Sequence, residues 1–177
     1  MQILSPHRAN TREYPEIQVQ VVSGPKSIDI KLEVKLEALH TSHDFSQVGY
    51  DNNGLWDYDV AEVFLQRGDG HTNYLELQVS PLDQKFALII KRPRIETEHV
   101  SKLGSKLHGQ YSNNVFSASF SVYATDIPGK GSEIYGNIFC CLGPKDDRHY
   151  FGLNINPEVV PDYHRPELFK PLGHINE

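Results

Sequence analysis

The chain has 177 residues, of which 23 are acidic and 17 are basic, and its formal net charge is −6. This length is sufficient for one hydrophobic core, and we expect a single domain over residues 1–177. The basic residues form no run, which argues against binding to nucleic acid or to anionic membranes.

Other general features favour a soluble protein. The longest apolar run, FALII at residues 86–90, has the length of a strand, far below the roughly 20 residues that span a bilayer. No secretory signal is recognisable at the N-terminus, and the adjacent Cys140 and Cys141 would point to opposite faces of a strand, where they cannot pair. We therefore expect a cytoplasmic location, and the sequence sets no oligomeric state.

Alternation of apolar and polar residues predicts the strands of the first half. The alternation is clearest at residues 27–37, and residues 17–22 alternate in the same way. A Ser-Gly-Pro-Lys turn separates the two segments, so together they predict a hairpin. Three further strands are predicted in meander order, at residues 60–66, 74–80 and 85–91.

The second half continues with short strands. Two more strand pairs around turn residues are predicted: 107–111 with 115–123, and 134–142 with 148–155. Residues 94–107 have a spacing that also fits a helix, but Gly104 weakens the helix, and we favour short strands there. Prolines from Pro157 to Pro171 rule out regular structure for most of the C-terminal segment.

About ten short strands with little helix predict an all-β protein, as an antiparallel β-sandwich or a closed barrel. The sequence has no internal repeat, no glycine-rich phosphate loop, no nucleophile elbow and no zinc-type cysteine spacing. The motifs of several large enzyme classes are therefore absent.

Trp56 is the only tryptophan, within the segment GLWDYDVAEVFL. It follows an Asp-Asn-Asn-Gly turn and precedes a strand, so it should lie at the rim of the sheet, where binding sites are common. The alternative, that Trp56 caps the core, is equally compatible with the neighbouring Leu55.

Glu62 interrupts an apolar strand in the same segment. Alternation places it on the face of Val60 and Phe64, and the opposite face is apolar too, so its carboxylate should be half-buried. Such a carboxylate needs a partner, either a structural Arg or Lys or the hydroxyl groups of a ligand. An aromatic ring beside a carboxylate suits a sugar, which presents an apolar C–H face and hydroxyl groups.

Four blocks resemble the family-9 carbohydrate-binding modules and the wider group of DOMON-like domains: residues 55–65, 73–84, 115–141 and 161–172. The resemblance covers most of the chain from about residue 55 onward. It implies an immunoglobulin-like or jelly-roll-like antiparallel β-sandwich.

The resemblance also implies ligand-binding residues. Trp56 and Tyr163 correspond to the two aromatic residues between which the family holds a terminal sugar, and Glu62 to the acid that contacts sugar hydroxyls. Glu76 stands where the sugar-binding members carry an Arg, and Phe139 stands where they carry an amide. We expect Glu76 and His164 to complete the ligand-binding set.

No cofactor is expected. Asp162, His164 and His149 could form a metal site with Asp57 or Asp59, but their spacing matches no metal loop, and a structural calcium ion is the alternative.

The leading hypothesis is a non-catalytic domain that binds a carbohydrate or a similar small polar ligand. Three alternatives remain: a protein-interaction domain with a vestigial sugar pocket, a glycoside-acting enzyme that uses Glu62 and Glu76 as acid and base, and a haem-binding domain. Haem binding would need two histidines, because the only methionine is Met1.

Overall fold

The computed structural model describes residues 1–11, 13–14, 16–68, 73–157 and 161–176. In these residues two antiparallel sheets, of five and eight strands, pack face to face and form a β-sandwich. The predicted all-β antiparallel sandwich is thereby confirmed, and the closed barrel is excluded.

The five-stranded sheet has the spatial order β1 (Gln2–Ile3), β3 (Gln18–Ser23), β4 (Ser27–Lys35), β10 (Val115–Tyr123) and β9 (Lys106–Ser112). The eight-stranded sheet has the order β2 (Ser5–Pro6), β12 (His149–Gly152), β11 (Glu133–Leu142), β5 (Val60–Arg67), β6 (Tyr74–Val79), β7 (Lys85–Arg92) and β8 (Glu96–His99). Its eighth strand, β13 (Lys170–His174), pairs with β11. Four single-turn 3-10 helices lie at Leu55–Asp57, Ala124–Asp126, Lys145–Asp147 and Pro166–Leu168.

The predicted pairings are present in the structure. β3 pairs with β4, β9 with β10 and β11 with β12, and β5, β6 and β7 form the predicted meander. Residues 94–107 contain β8 and the start of β9 and no helix, as the interruption by Gly104 indicated. The two-residue strands β1 and β2 were not predicted, because two residues are too short to show alternation.

The C-terminal segment is more ordered than its prolines predict. β13 contains Pro171 and still pairs with β11, with a register shift between Ile134 and Tyr135 at that point. A proline lacks a backbone N–H, so it is tolerated in a sheet only at an edge or at a bulge. Among the described strands, β13 pairs with β11 alone, and the register shift lies beside Pro171, so both conditions are met.

The hydrophobic core lies between the sheets. Alternate residues of β4, such as Ile30, and of β10, such as Phe120, point inward and meet Val63 of β5 and Leu77 of β6. Of the adjacent cysteines, Cys140 lies in this core and Cys141 on the opposite face of β11, and both thiols are free, as predicted.

The outer face of the eight-stranded sheet is covered as well. Every residue of β6, and every residue of β5 except Arg67, is buried, so these strands lie between two layers. Two further hydrophobic clusters fill the outer layer, one around Phe64 and Phe169 and one around Leu55 and Phe86. Polar residues on this face are consequently held away from bulk water.

Within the described residues, no helix is long and apolar enough to cross a membrane.

Gly109 marks a close approach of the two sheets. A Cβ atom at this position would lie 2.0 Å from the backbone oxygen of Ser80 in the opposite sheet. Because a backbone atom cannot easily move aside, we expect Gly109→Ala to lower the free energy of unfolding by about 1–3 kcal/mol in urea denaturation. Gly104→Ala is the matched control, since its Cβ would meet nothing closer than 3.5 Å. Equal stabilities of the two variants would contradict the expectation.

Candidate ligand-binding site

A cavity of about 540 Å³ opens on the outer face of the eight-stranded sheet. This volume is in the range of small-molecule sites, which is about 300–1,000 Å³. All five residues of the predicted ligand-binding set line it: Trp56, Glu62, Glu76, Tyr163 and His164. The fold thus brings together residues that are separated by more than one hundred positions in the chain.

Trp56 lies at the rim of this cavity. It belongs to the single-turn helix Leu55–Asp57, which begins after Gly54 in the left-handed conformation (φ 92°). Leu55 is fully buried and packs into the outer hydrophobic layer, whereas the Trp56 side chain is 40% exposed. Leu55 is therefore the residue that caps the core, and part of the Trp56 side chain remains exposed at the cavity.

Arg148 fixes the loop that carries Trp56. Its guanidinium group donates hydrogen bonds to the backbone oxygens of Trp56 at 2.6 Å, Gly143 at 2.7 Å and Tyr58. The sequence analysis did not identify Arg148, and no local pattern could have done so, because two of its acceptors lie about 90 residues away in the chain.

Tyr163 lies flat on Phe139, with ring centroids 3.8 Å apart and an interplanar angle of 12°. Its hydroxyl group donates to the backbone oxygen of Phe151 at 3.3 Å, and the Cys141 thiol donates to it at 3.5 Å. Burial raises the pKa of Tyr163 well above its ordinary value, so the hydroxyl stays protonated. Phe139, a departure from the family pattern, thus supports the Tyr163 ring from one side.

Glu62 and Glu76 lie side by side on β5 and β6. Gln78 is opposite Glu62 in the strand register, and its amide nitrogen donates to Glu76 Oε1 at 2.7 Å and to Glu62 Oε2 at 3.4 Å. The Cys141 thiol donates to Glu62 Oε1 at 3.5 Å. We call Glu62, Glu76 and Gln78 the polar floor of the cavity; none of the three is more than 4% exposed.

The two carboxyl groups of the polar floor resist ionisation. Burial is the main cause, and it raises the pKa of Glu62 to about 7 and that of Glu76 to about 8. The charge of Glu62 raises the pKa of Glu76 further, whereas Arg148 and the Cys141 hydrogen bond counteract part of the effect at Glu62. At least one of the two carboxyl groups therefore keeps its proton near neutral pH.

Two acceptor atoms of the polar floor are unsatisfied. Among the described residues, Glu76 Oε2 and Gln78 Oε1 have no hydrogen-bond partner although both atoms are buried. Buried polar atoms without a partner are uncommon in folded proteins, and each costs about 1–3 kcal/mol. Donor groups of a ligand in the cavity would satisfy both atoms.

His164 forms the side of the cavity next to Glu76. Its Nδ1 is hydrogen-bonded to the Tyr74 hydroxyl at 2.7 Å, and its Nε2 is 3.9 Å from Glu76 Oε2. Burial, with a smaller contribution from Arg94, lowers the pKa of His164 to about 4. The imidazole is therefore neutral at physiological pH and does not offset a charge on Glu76.

Gln78 and Arg94 supply donors that the sequence analysis missed. Arg94 lines the cavity and forms an ion pair with Asp162. Gln78 was identifiable in principle, because it follows Glu76 by two positions and so shares its face of β6. Arg94 lies in a turn after a strand, where no periodic pattern indicates the direction in which its side chain points.

The residues considered for a metal site do not all meet. Asp57, Asp162 and His164 line the cavity, whereas Asp59 accepts hydrogen bonds from two backbone N–H groups and His149 is buried beside Asp147. Among the described residues, no group of three or more His, Cys, Asp or Glu side chains is arranged to hold a metal ion.

No family model matches the sequence, and no curated protein matches it. A proposed carbohydrate-binding protein from Bacteroides uniformis shares the fold with a TM-score of 0.76 at 16% identity, over 99% of this chain and 85% of the other. A family-9 carbohydrate-binding module from Caldicellulosiruptor kristjanssonii, in complex with cellotriose, shares the fold with a TM-score of 0.62 at 12% identity. The match covers 98% of this chain and 80% of the module. A family-9 module from the same organism in complex with glucose has a TM-score of 0.61 at 12% identity, over 98% of this chain and 83% of the module. The predicted resemblance to the family-9 modules is thereby confirmed for the fold.

Proposed function

We propose that this protein is a non-catalytic binding domain that holds a carbohydrate in the cavity between Trp56 and Tyr163. The observation that carries the proposal is the combination of aromatic surface with a buried polar floor that has two unsatisfied acceptors. A pyranose offers a C–H face to the rings and hydroxyl donors to the acceptors. The family-9 module with the same fold was solved with glucose and with cellotriose, which supports this class of ligand.

The arrangement of the two acids favours binding over glycoside cleavage. The acid pairs of glycosidases lie on either side of the scissile bond. Glu62 and Glu76 instead project from neighbouring strands of one sheet, and a single Gln78 amide nitrogen contacts both. Because both acids belong to one hydrogen-bonded group with Gln78 in the floor of the cavity, we assign them to ligand recognition.

Binding should be visible through the single tryptophan. We expect at least one saccharide of a panel of mono- and oligosaccharides to change the Trp56 emission and to give a binding isotherm in calorimetry. Trp56→Ala should weaken that isotherm at least tenfold, because the loss of a central aromatic contact commonly costs about 2 kcal/mol.

The matched control is Tyr123→Ala, which removes an aromatic ring from β10 in the other sheet, where the side chain is 37% exposed. It should leave the isotherm unchanged. The proposal fails if no saccharide changes the emission and none produces heat of binding.

A further inference from the structure

The polar floor carries one acidic group, Glu76, that forms no ion pair with a described Lys or Arg side chain. Glu76 is 3% exposed, and among the described residues no Lys or Arg side chain forms an ion pair with it; its neighbours are Glu62, Gln78 and a neutral His164. Burying an unpaired carboxylate costs several kcal/mol, and the carboxyl group avoids this cost by keeping a proton.

The cationic side chains of the cavity are engaged elsewhere. Arg94 forms its ion pair with Asp162, and Arg148 donates to three backbone oxygens. Lys145 points mostly into solvent, with 82% of its side chain exposed, and its Nζ is 3.9 Å from Asp57. Within the described part of the chain, no ammonium or guanidinium group therefore pairs with Glu76.

The unsatisfied atoms require donors. Glu76 Oε2 and Gln78 Oε1 both accept when the carboxyl group is ionised, and both lack a partner in the described part of the chain. A protonated amine has three N–H donors and one positive charge, so it can donate to Glu76 Oε2, balance the carboxylate and keep further donors for a second acceptor such as Gln78 Oε1. A hydroxyl group would supply one donor and no charge.

We infer that the cavity selects a saccharide that carries a protonated primary amine, which is an amino sugar, with the ammonium group at Glu76 and Gln78. This inference rests on the proposed function, since the aromatic rings hold the sugar and the polar floor selects the amine. Glu76 gives up its own proton when it pairs with the ammonium group, so binding releases one proton to the solvent.

The test is calorimetry of the full chain at pH 7 with glucosamine, glucose and N-acetylglucosamine. We expect glucosamine to bind at least about tenfold more tightly than the two neutral sugars, as charge-assisted hydrogen bonds require. Titrations in two buffers of different ionisation enthalpy should show proton release with glucosamine and none with glucose. Glu76→Gln should bring the affinities of glucosamine and glucose within about twofold and abolish the proton release.

Control variants and probes separate the possible failures. Glu33→Gln makes the same chemical change at an exposed position of β4 and should keep the preference. If glucosamine and glucose bind equally to the unaltered protein, the inference fails and the proposed function stands. If putrescine binds as tightly as glucosamine while no neutral saccharide binds, both fail. Calcium binding that is lost in Glu76→Gln would also overturn the inference, because the polar floor would then be a metal site.

Discussion

Replacing Glu76 by glutamine is expected to raise the free energy of unfolding by about 4 kcal/mol at pH 8 and by about 1 kcal/mol at pH 5. The pKa of Glu76 is about 8 in the folded protein and near 4.5 in the unfolded chain. Between these values the unfolded chain has lost the proton and the folded protein keeps it. The free energy of unfolding therefore falls as pH rises through this window. Below pH 4.5 Glu76 does not affect it, and above pH 8 the destabilisation by Glu76 is complete. Glutamine does not titrate and removes the penalty.

Urea denaturation at pH 5, 6, 7 and 8 measures this effect. Glu33→Gln, on the exposed face of β4, should show the same pH dependence as the unaltered protein. A Glu76→Gln variant that is no more stable than the unaltered protein at pH 8 would indicate that Glu76 is charged and well paired in the folded state.

A gain in stability from Glu76→Gln would also bear on function. Side chains that destabilise the unliganded fold are common at binding sites, where the ligand restores the missing interactions. Glu76 and Gln78 have this character, because both are buried and each has an acceptor without a partner. A variant that is more stable and binds amino sugars less well would show both consequences of one buried carboxyl group.

Phe139→Ala is expected to lower the free energy of unfolding by about 3–5 kcal/mol and to weaken saccharide binding at least tenfold. The Phe139 side chain is 2% exposed and contacts the rings of Phe64 and Tyr163. Its removal leaves a cavity beneath Tyr163, whose ring then loses the surface that orients it towards the ligand.

The control for this variant is Phe116→Ala, which removes a ring of the same size from the core between the sheets. It should cost a similar amount of stability and leave the affinity for saccharides unchanged. If the alanine variants do not fold, Phe139→Leu and Phe116→Leu permit the same comparison at a smaller cost in stability. Equal losses of affinity at both positions would show that Phe139 has no specific part in orienting Tyr163.

The position of the candidate site was partly predictable from residues close in sequence. Trp56 and Glu62 lie in one loop and strand, and alternation correctly placed Glu62 on the face of Val60 and Phe64. Tyr163 and His164 entered only through resemblance, because no local pattern connects them to β5. Gln78 and Arg94 were missed, since neither residue type is unusual on a strand or at a turn.

Sequence alone determined the strands and their pairing along hairpins, because alternation and turn residues are local properties with a period of two. Only the tertiary structure decided which polar groups are buried away from solvent. The polar floor is closed by residues near position 163, just over one hundred positions from Glu62, and by the loop carrying Trp56, which Arg148 holds in place. A pKa or an unsatisfied acceptor depends on every atom within a few ångströms, so neither exists as a property of the sequence until the chain has folded.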